Sequence, residues 1–459
     1  MLQVILARIL EPECYGTLAV MLIFIDLANV FIQQGFGTAL IQNKDVSEDD
    51  YSSVFWTVLV IASVLYGVLY FLAPFTEKFF AIRDFSDSFR FLALMLFPGA
   101  LNSVQQAKLS RELDYRKIFI SNLLGVVISG ALGIFVALNY GGIWALVIQS
   151  FANTLIVSVV MLVTVKWKPR AVFDIKRMEE LFSYGWKLQL SSLMDTGFED
   201  AQAALVGKAF DSSILAFYDR GRQFPKFIIS TINGAVQSVM LPVMSSQQED
   251  INDVKTTMRK SLTMSFFFIS PLILGLAAVA DQAVVVILTE KWRPCVPYLQ
   301  LYCLSYLFWP VHTCNLQAIN AVGRSDIFLK LEIIKKIYGI LGLYIAIRYF
   351  RSPIALVMVG VITVPLSCYV NAYPNKKLIN YSLIEQIKDL IPIMFADIVM
   401  LIPVLLVGMA DLPKILVLVL QVVCGAVCYI ALNAVLGTQP WNDAIIMIKQ
   451  RKDSGRNPI

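Results

Sequence analysis

The sequence predicts an all-α polytopic membrane protein of about fourteen transmembrane helices, the first of them truncated. Two six-helix lobes related by an internal repeat, followed by a C-terminal helix pair, make up the expected architecture. Three observations carry this. Of 459 residues, 58% are hydrophobic and only 15% charged, whereas a soluble chain carries roughly 25% charged residues. Apolar stretches of about 20 residues, each enough to cross a ~30 Å hydrocarbon layer, recur along the chain, whose mean hydropathy is +0.69. Polar and turn motifs also recur in the same order in the two halves.

Met1 to Leu10 (MLQVILARIL) is apolar, but ten residues reach only ~15 Å. The stretch has no basic leading region or small-residue cleavage site, which argues against a signal peptide. It reads as the second half of a helix whose beginning is absent, through a misplaced start or a truncation. Full spans are expected near 15–36, 54–73, 91–107, 118–138 and 143–165, giving an N-terminal lobe over 1–165. A basic cytoplasmic linker, KWKPRAVFDIKRMEELFSYGWK, covers 166–187. Spans near 188–206, 215–240, 262–287, 299–319, 328–347 and 354–373 form the C-terminal lobe, 188–373. The terminal pair (390–409 and 415–436, within 388–437) precedes a cytoplasmic tail, 438–459. The other loops are short and leave no room for a sizeable soluble domain.

Most of the 38 Lys and Arg residues fall in one alternating set of loops. Positive residues favour the inside, so both termini are expected in the cytoplasm. The net charge of +5 is spread over short loops rather than gathered in a patch, which excludes nucleic-acid binding. The seven cysteines are scattered without a CxxC or a Cys/His cluster, so neither a disulfide framework nor a metal site is expected. The single histidine, His312, follows Trp309-Pro310 inside a span and reads as structural.

One span departs from the apolar pattern. In FYDRGRQFPKFIISTINGAVQSVMLP, Phe217 to Pro242, the residues Asp219, Arg222, Lys226, Ser230, Asn233 and Gln237 advance by three or four and share one helical face. A charge facing lipid costs several kcal/mol, so this face should meet protein or water. Arg222 and Lys226 suit a phosphate, by bidentate donation and as a point charge respectively. Asn233 and Gln237 offer donors and acceptors to sugar hydroxyls. In the first half, Asp26, Asn29 and Gln33 have the same spacing as Ser230, Asn233 and Gln237, 204 residues later, and Asn29 and Gln33 suit the same contacts. LMLFPG at 94–99 likewise resembles SYLFWP at 305–310, and GGIWALV at 141–147 resembles RSPIALV at 351–357. Repeats of this kind form a cavity that opens alternately to either side.

A structural reading of the same charges has equal weight. Asp195, Glu199 and Asp200 on the preceding helix, with Asp219, could neutralise Arg220, Arg222 and Lys226 and so fix two helices. An acid released from such a pair could instead bind H⁺ or Na⁺ for coupling. Lys335 and Lys336 are weaker cavity candidates, since pairing with Glu332 or snorkelling to the interface would also accommodate them. No catalytic residue, metal or bound cofactor is expected.

RILEPECYGTLA and GFGTALIQNKDVSEDDYSSVFW in the first half, with AFYDRGRQFPKFI, VMLPVMSSQQED, LTEKWRPCVPYLQLYCL and AVGRSDIFLKLEIIKK in the second, resemble bacterial oligosaccharide-lipid flippases. These are the O-antigen, capsule and teichuronic-acid exporters of the multidrug/oligosaccharidyl-lipid/polysaccharide superfamily. The resemblance runs from Leu6 to about Tyr373. Tyr218-Asp219-Arg220-Gly221 stands where that family often has Tyr-Asn-Arg-Ala, and Thr289 replaces a usual Gly before Glu-Lys-Trp. The resemblance implies a multi-pass protein of the bacterial cytoplasmic membrane moving undecaprenyl-pyrophosphate-linked sugars to the outer leaflet. Its partners would be that lipid-linked oligosaccharide, membrane lipids, and the polymerase and other polysaccharide-assembly proteins. A cation-coupled drug exporter of the same superfamily is the alternative, although its cavity should be acidic or aromatic. A membrane glycosyltransferase or polymerase would carry a large external loop with acid–base residues, and no loop here is long enough.

Overall fold

A computed structural model describes residues 2–33, 35–42, 46–165, 167–247 and 250–454. Of the residues assigned above to the linker and tail, Lys166 and 455–459 lie outside that set. The described residues form helices and no strand: α1 (Leu2–Ile9), α2 (Pro12–Gln33), α3 (Gly35–Gln42), α4 (Glu48–Phe80), α5 (Phe85–Ala93), α6 (Leu96–Arg111), α7 (Tyr115–Asn139), α8 (Ile143–Thr164), α9 (Ile175–Ala209), α10 (Ser212–Ser246), α11 (Ile251–Ala278), α12 (Ala280–Leu288), α13 (Val296–Tyr306), α14 (Trp309–Ala321), α15 (Ser325–Ile345), α16 (Pro353–Leu378), α17 (Leu383–Gly408), α18 (Lys414–Leu436) and α19 (Gln439–Ser454). Eight of them (α2, α4, α7, α8, α11, α16, α17 and α18) are long and apolar enough to cross a membrane. The chain is a polytopic helical membrane protein.

Several spans expected to be single helices are divided. The stretch 91–107 is split between α5 and α6, 299–319 between α13 and α14, and 262–287 between α11 and α12. Proline marks the first two breaks. Pro98 and Pro310 each sit in the first turn of the second segment, where a missing N–H costs nothing. The motifs LMLFPG and SYLFWP therefore mark the same local event in the two halves.

The repeat extends to the turns around the next helix pair. Leu113 and Gly323 both take positive φ (57° and 75°) just before α7 and α15, as do Gly141 and Arg351 (65° and 47°) just before α8 and α16. Corresponding helix starts, Tyr115 with Ser325 and Ile143 with Pro353, are 210 residues apart.

The chain forms two compact units, Met1–Asp219 and Arg220–Ile459, with the division inside α10. In the first unit, α7 packs on α8 and α1. Ser121, Gly125, Ser129, Gly133 and Ala137, every fourth residue of α7, are buried. Added methyl groups at Gly125 and Gly133 would meet Val157 and Gln149 of α8 at 2.4 and 2.8 Å, while Leu2 of α1 lies as close to Gly130. Small residues thus let these backbones approach, as membrane helices require. Phe119 and Phe135, on the other side of α7, remain exposed to the surrounding medium.

The second half of the basic linker is helical, forming the first turns of α9, which packs against α2, α3 and α4. The first half is tethered to the start of α4. Trp167 is buried beside Tyr51 and Phe55, and Trp56 donates to the Arg170 carbonyl at 2.8 Å. The Ser52 and Ser53 hydroxyls accept from Arg170 and Asp174 N–H groups, and Arg177 pairs with Asp50 at 3.2 Å.

In the second unit, α11 lies against α13, α14 and α17, and α18 covers α17. Lys255 pairs with Glu385 at 3.2 Å and Arg259 with Asp389, so α11 and α17 run parallel in one register. Asn315, Asn375 and Gln386 are fully buried and bond to one another: the Asn315 side-chain oxygen accepts from Asn375 at 2.8 Å and from Gln386 at 3.0 Å. His312 accepts from Asn371 through Nδ1 at 3.1 Å, consistent with a structural role.

Candidate transport site

The polar face of α10 is carried on a helix that runs unbroken from Ser212 to Ser246, through Pro225. Gly221 explains how this helix seats itself: a methyl group there would lie 2.7 Å from the Tyr298 side chain and 2.8 Å from the Leu299 backbone nitrogen of α13. Only a glycine permits that approach. Beside it, Arg220 is buried, with its guanidinium 5.2 Å from the Trp292 ring centroid and donating to Gln223 at 3.0 Å. A cation over an indole face, stacked and hydrogen-bonded, is held in place.

Further along the helix the stripe changes character. Arg222 is half-buried and Lys226 exposed, one turn apart on a common side. Ser230 is exposed and turns its hydroxyl back to the Phe227 carbonyl at 3.1 Å. Asn233 is buried, and its side-chain oxygen has no donor among the described residues. Gln237 accepts from Gln317 of α14 at 3.0 Å. Along the stripe Lys226 and Ser230 are therefore exposed, whereas Asn233 is buried and Gln237 is bonded to α14 of the second unit.

In the first unit, Asp26 and Gln33 on α2 are exposed and Asn29 half-buried. On α9, Asp195 is exposed, Glu199 half-buried and Asp200 buried. Asp200 borders a groove of about 320 Å³ lined chiefly by Phe24, Leu27, Phe75, Phe79 and Gly197. Asp219 is half-buried. None of Asp26, Asp195, Glu199, Asp200, Asp219, Arg222 or Lys226 stands without an interaction partner. Lys335 pairs with Glu332 at 2.6 Å on its own helix, and Lys336 beside it is also engaged.

Sequence reasoning missed two groups of buried polar residues. The network joins Asn315, inside an expected span, to Asn375 and Gln386, which lie just outside the spans expected at 354–373 and 390–409, and Asp397 is buried in the terminal pair. Asn315 and Asp397 were visible as polar residues interrupting apolar runs, whereas Asn375 and Gln386 read as part of a polar loop, and no helical-face pattern singled out any of them. No group of His, Cys, Asp and Glu among the described residues could hold a metal ion.

Comparison with known proteins bears on this arrangement. The teichuronic acid biosynthesis protein TuaB of Bacillus subtilis is 26% identical over 309 residues, covering 65% of this chain and 62% of that protein. The succinoglycan biosynthesis transport protein ExoT of Rhizobium meliloti is 22% identical over 72% of this chain and 67% of its own. The match to the first of these relatives therefore spans less than two thirds of that protein's length. Among solved structures, the lipid II flippase MurJ in an inward closed conformation superposes with a TM-score of 0.76 at 16% identity, over 97% of each chain. At that identity the likeness establishes the fold. A family model described as "polysaccharide biosynthesis protein" matches residues 5–297, well over half the chain and including the cationic part of α10, and the chain belongs to that family.

Proposed function

We propose that the protein is a flippase that moves undecaprenyl-pyrophosphate-linked oligosaccharide across the bacterial cytoplasmic membrane by alternating access, for surface polysaccharide synthesis. It is a transporter rather than an enzyme. The observation that carries this is the pair Arg222 and Lys226, half-buried and exposed, in the middle of a helix of a membrane protein whose relatives are named for polysaccharide biosynthesis and transport. A pyrophosphate bearing sugars cannot cross hydrocarbon unless its charges and hydroxyls are matched. Arg222 and Lys226 would meet the pyrophosphate, and Asn233, Gln237, Asn29 and Gln33 the hydroxyls, with the polyprenyl tail left in lipid. Asp26, Asp195, Glu199, Asp200, Asp219 and Arg220 would set the charge balance around that path. The termini would lie in the cytoplasm, and the lipid-linked oligosaccharide, membrane lipids and polymerase-type assembly proteins would be its partners.

Mass spectrometry of lipid retained by the purified protein tests this reading. Retention of a polyprenyl-pyrophosphate glycan, reduced about tenfold or more by Lys226→Gln through loss of a charge-assisted contact, is the expected result. Retention of bulk phospholipid alone, equal in wild type and variant, would contradict it.

A further inference from the structure

Asp397 lies fourteen residues into α17, ~21 Å along a helix axis and so near the middle of a membrane span. It is 1% exposed, and neither carboxyl oxygen has a hydrogen-bond donor among the described residues. The acids nearer the start of α17 are treated differently. Glu385 has Lys255 and Asp389 has Arg259, with the Tyr381 hydroxyl also donating to Asp389 at 2.7 Å. The register of those two pairs places Asp397 level with Phe267 of α11, where the chain reads LTMSFFFIS from Leu262 to Ser270 and supplies no basic residue.

The groups around Asp397 come from three helices. From α11, the Ser270 hydroxyl faces it without closing a hydrogen bond and is itself fully buried and unpartnered. The nearest charges on that helix, Lys260 and Arg259, are held by Asp443 at 3.8 Å and by Asp389 respectively. From α18, the titratable group is Tyr429, whose hydroxyl is committed to the Phe267 carbonyl at 2.8 Å. Gln421 of α18 caps the Val404 carbonyl at 3.0 Å, farther along α17. α16 approaches α17 at the Asn375–Asn315–Gln386 network, three turns before Asp397, and its lysines, Lys376 and Lys377, lie in its last turn. Among the described residues no cation therefore offsets a charge on Asp397, and an ionised carboxylate in such a place costs several kcal/mol.

We propose that Asp397, with Ser270, is a proton-binding site between the C-terminal helix pair and α11. A proton on one carboxyl oxygen removes the charge and makes that oxygen a donor to the Ser270 hydroxyl oxygen, which can in turn donate to the other carboxyl oxygen. The two unpartnered groups then satisfy each other. A sodium ion would have to draw on the Asp397, Ser270 and Tyr429 oxygens together, and it is the competing occupant that the test separates. The site does not depend on what the protein transports.

The test uses dicyclohexylcarbodiimide, which adds to protonated carboxyls in apolar surroundings. The intact wild-type protein in lipid nanodiscs is treated across about pH 5.5 to 8.5, with and without sodium, and modified peptides are identified by mass spectrometry. Modification at Asp397 that falls roughly tenfold or more as the pH is raised, unaffected by sodium, with Asp389 unmodified, is the expected outcome. Ser270→Ala should move the pH at which modification falls. Absence of modification at Asp397 at every pH, modification independent of pH, or protection by sodium would each overturn the proposal.

Discussion

Gln317 on α14 donates a 3.0 Å hydrogen bond to Gln237 on α10, which ties the last polar position of the stripe to the broken helix of the second unit. Gln317→Leu would leave the half-buried Gln237 amide without its donor, at a cost of about 1–3 kcal/mol. A lowered melting temperature of the purified protein is expected, with recovery in Gln317→Glu, which can accept from the Gln237 amide after it turns over. Equal melting temperatures for wild type and the Leu variant would show the bond to be incidental.

Gly221 and Gly234 lie on the same helix, but only Gly221 has a backbone close against it. Gly221→Ala should therefore cost about 1–3 kcal/mol through overpacking against α13. Gly234→Ala, with nothing within 4 Å of the added carbon, should gain about 1 kcal/mol from helix propensity. Thermal unfolding of the two variants side by side checks the contrast.

Thr289 adopts φ 97°, a region open to glycine and strained for a β-branched residue. It sits at the turn from α12 into the short 3-10 segment Glu290–Cys295. Replacing Thr289 by Gly should stabilise the protein by about 1 kcal/mol or more as that strain is released. No gain in melting temperature would mean that the neighbouring contacts, rather than the residue type, hold this backbone.

Topology can be read with thiol reagents because the nearby native cysteine is inert. Burial pushes the Cys295 thiol up to about 12, so little thiolate forms at neutral pH. Lys176→Cys should be shielded from an impermeant reagent in intact cells and Arg293→Cys labelled. The reverse pattern would invert the orientation and with it the direction of transport.

The membrane class and the repeat were legible in the sequence because both rest on periodicity. Apolar runs of fixed length declare spans, and LMLFPG and SYLFWP declare the repeat, although the sequence reads as continuous spans across the helix breaks they mark. What the sequence hid were effects of packing in three dimensions. Nothing in the sequence shows that Gly221 meets the Tyr298 side chain and the Leu299 backbone of α13. The linker reads as a basic loop, yet half of it is helix α9, held at Arg177 by Asp50, and the rest is pinned by Ser52 and Ser53. Asp397 shows no pattern in one dimension, since its isolation depends on what α11 and α18 do not offer it. At the candidate site, the spacing of Arg222 and Lys226 was legible, whereas the change from open to packed between Ser230 and Asn233 depends on α14 and its neighbours.

The leaflet distribution of lipid-linked glycan tests the central claim most directly. Cells lacking the protein are compared with cells carrying wild type or Lys226→Gln, and the glycan accessible from outside is normalised to protein in the membrane. The flippase account predicts accumulation on the cytoplasmic side without the protein, restoration by wild type, and loss of most of that restoration with Lys226→Gln at equal abundance. An outward fraction unchanged by removing the protein would contradict it.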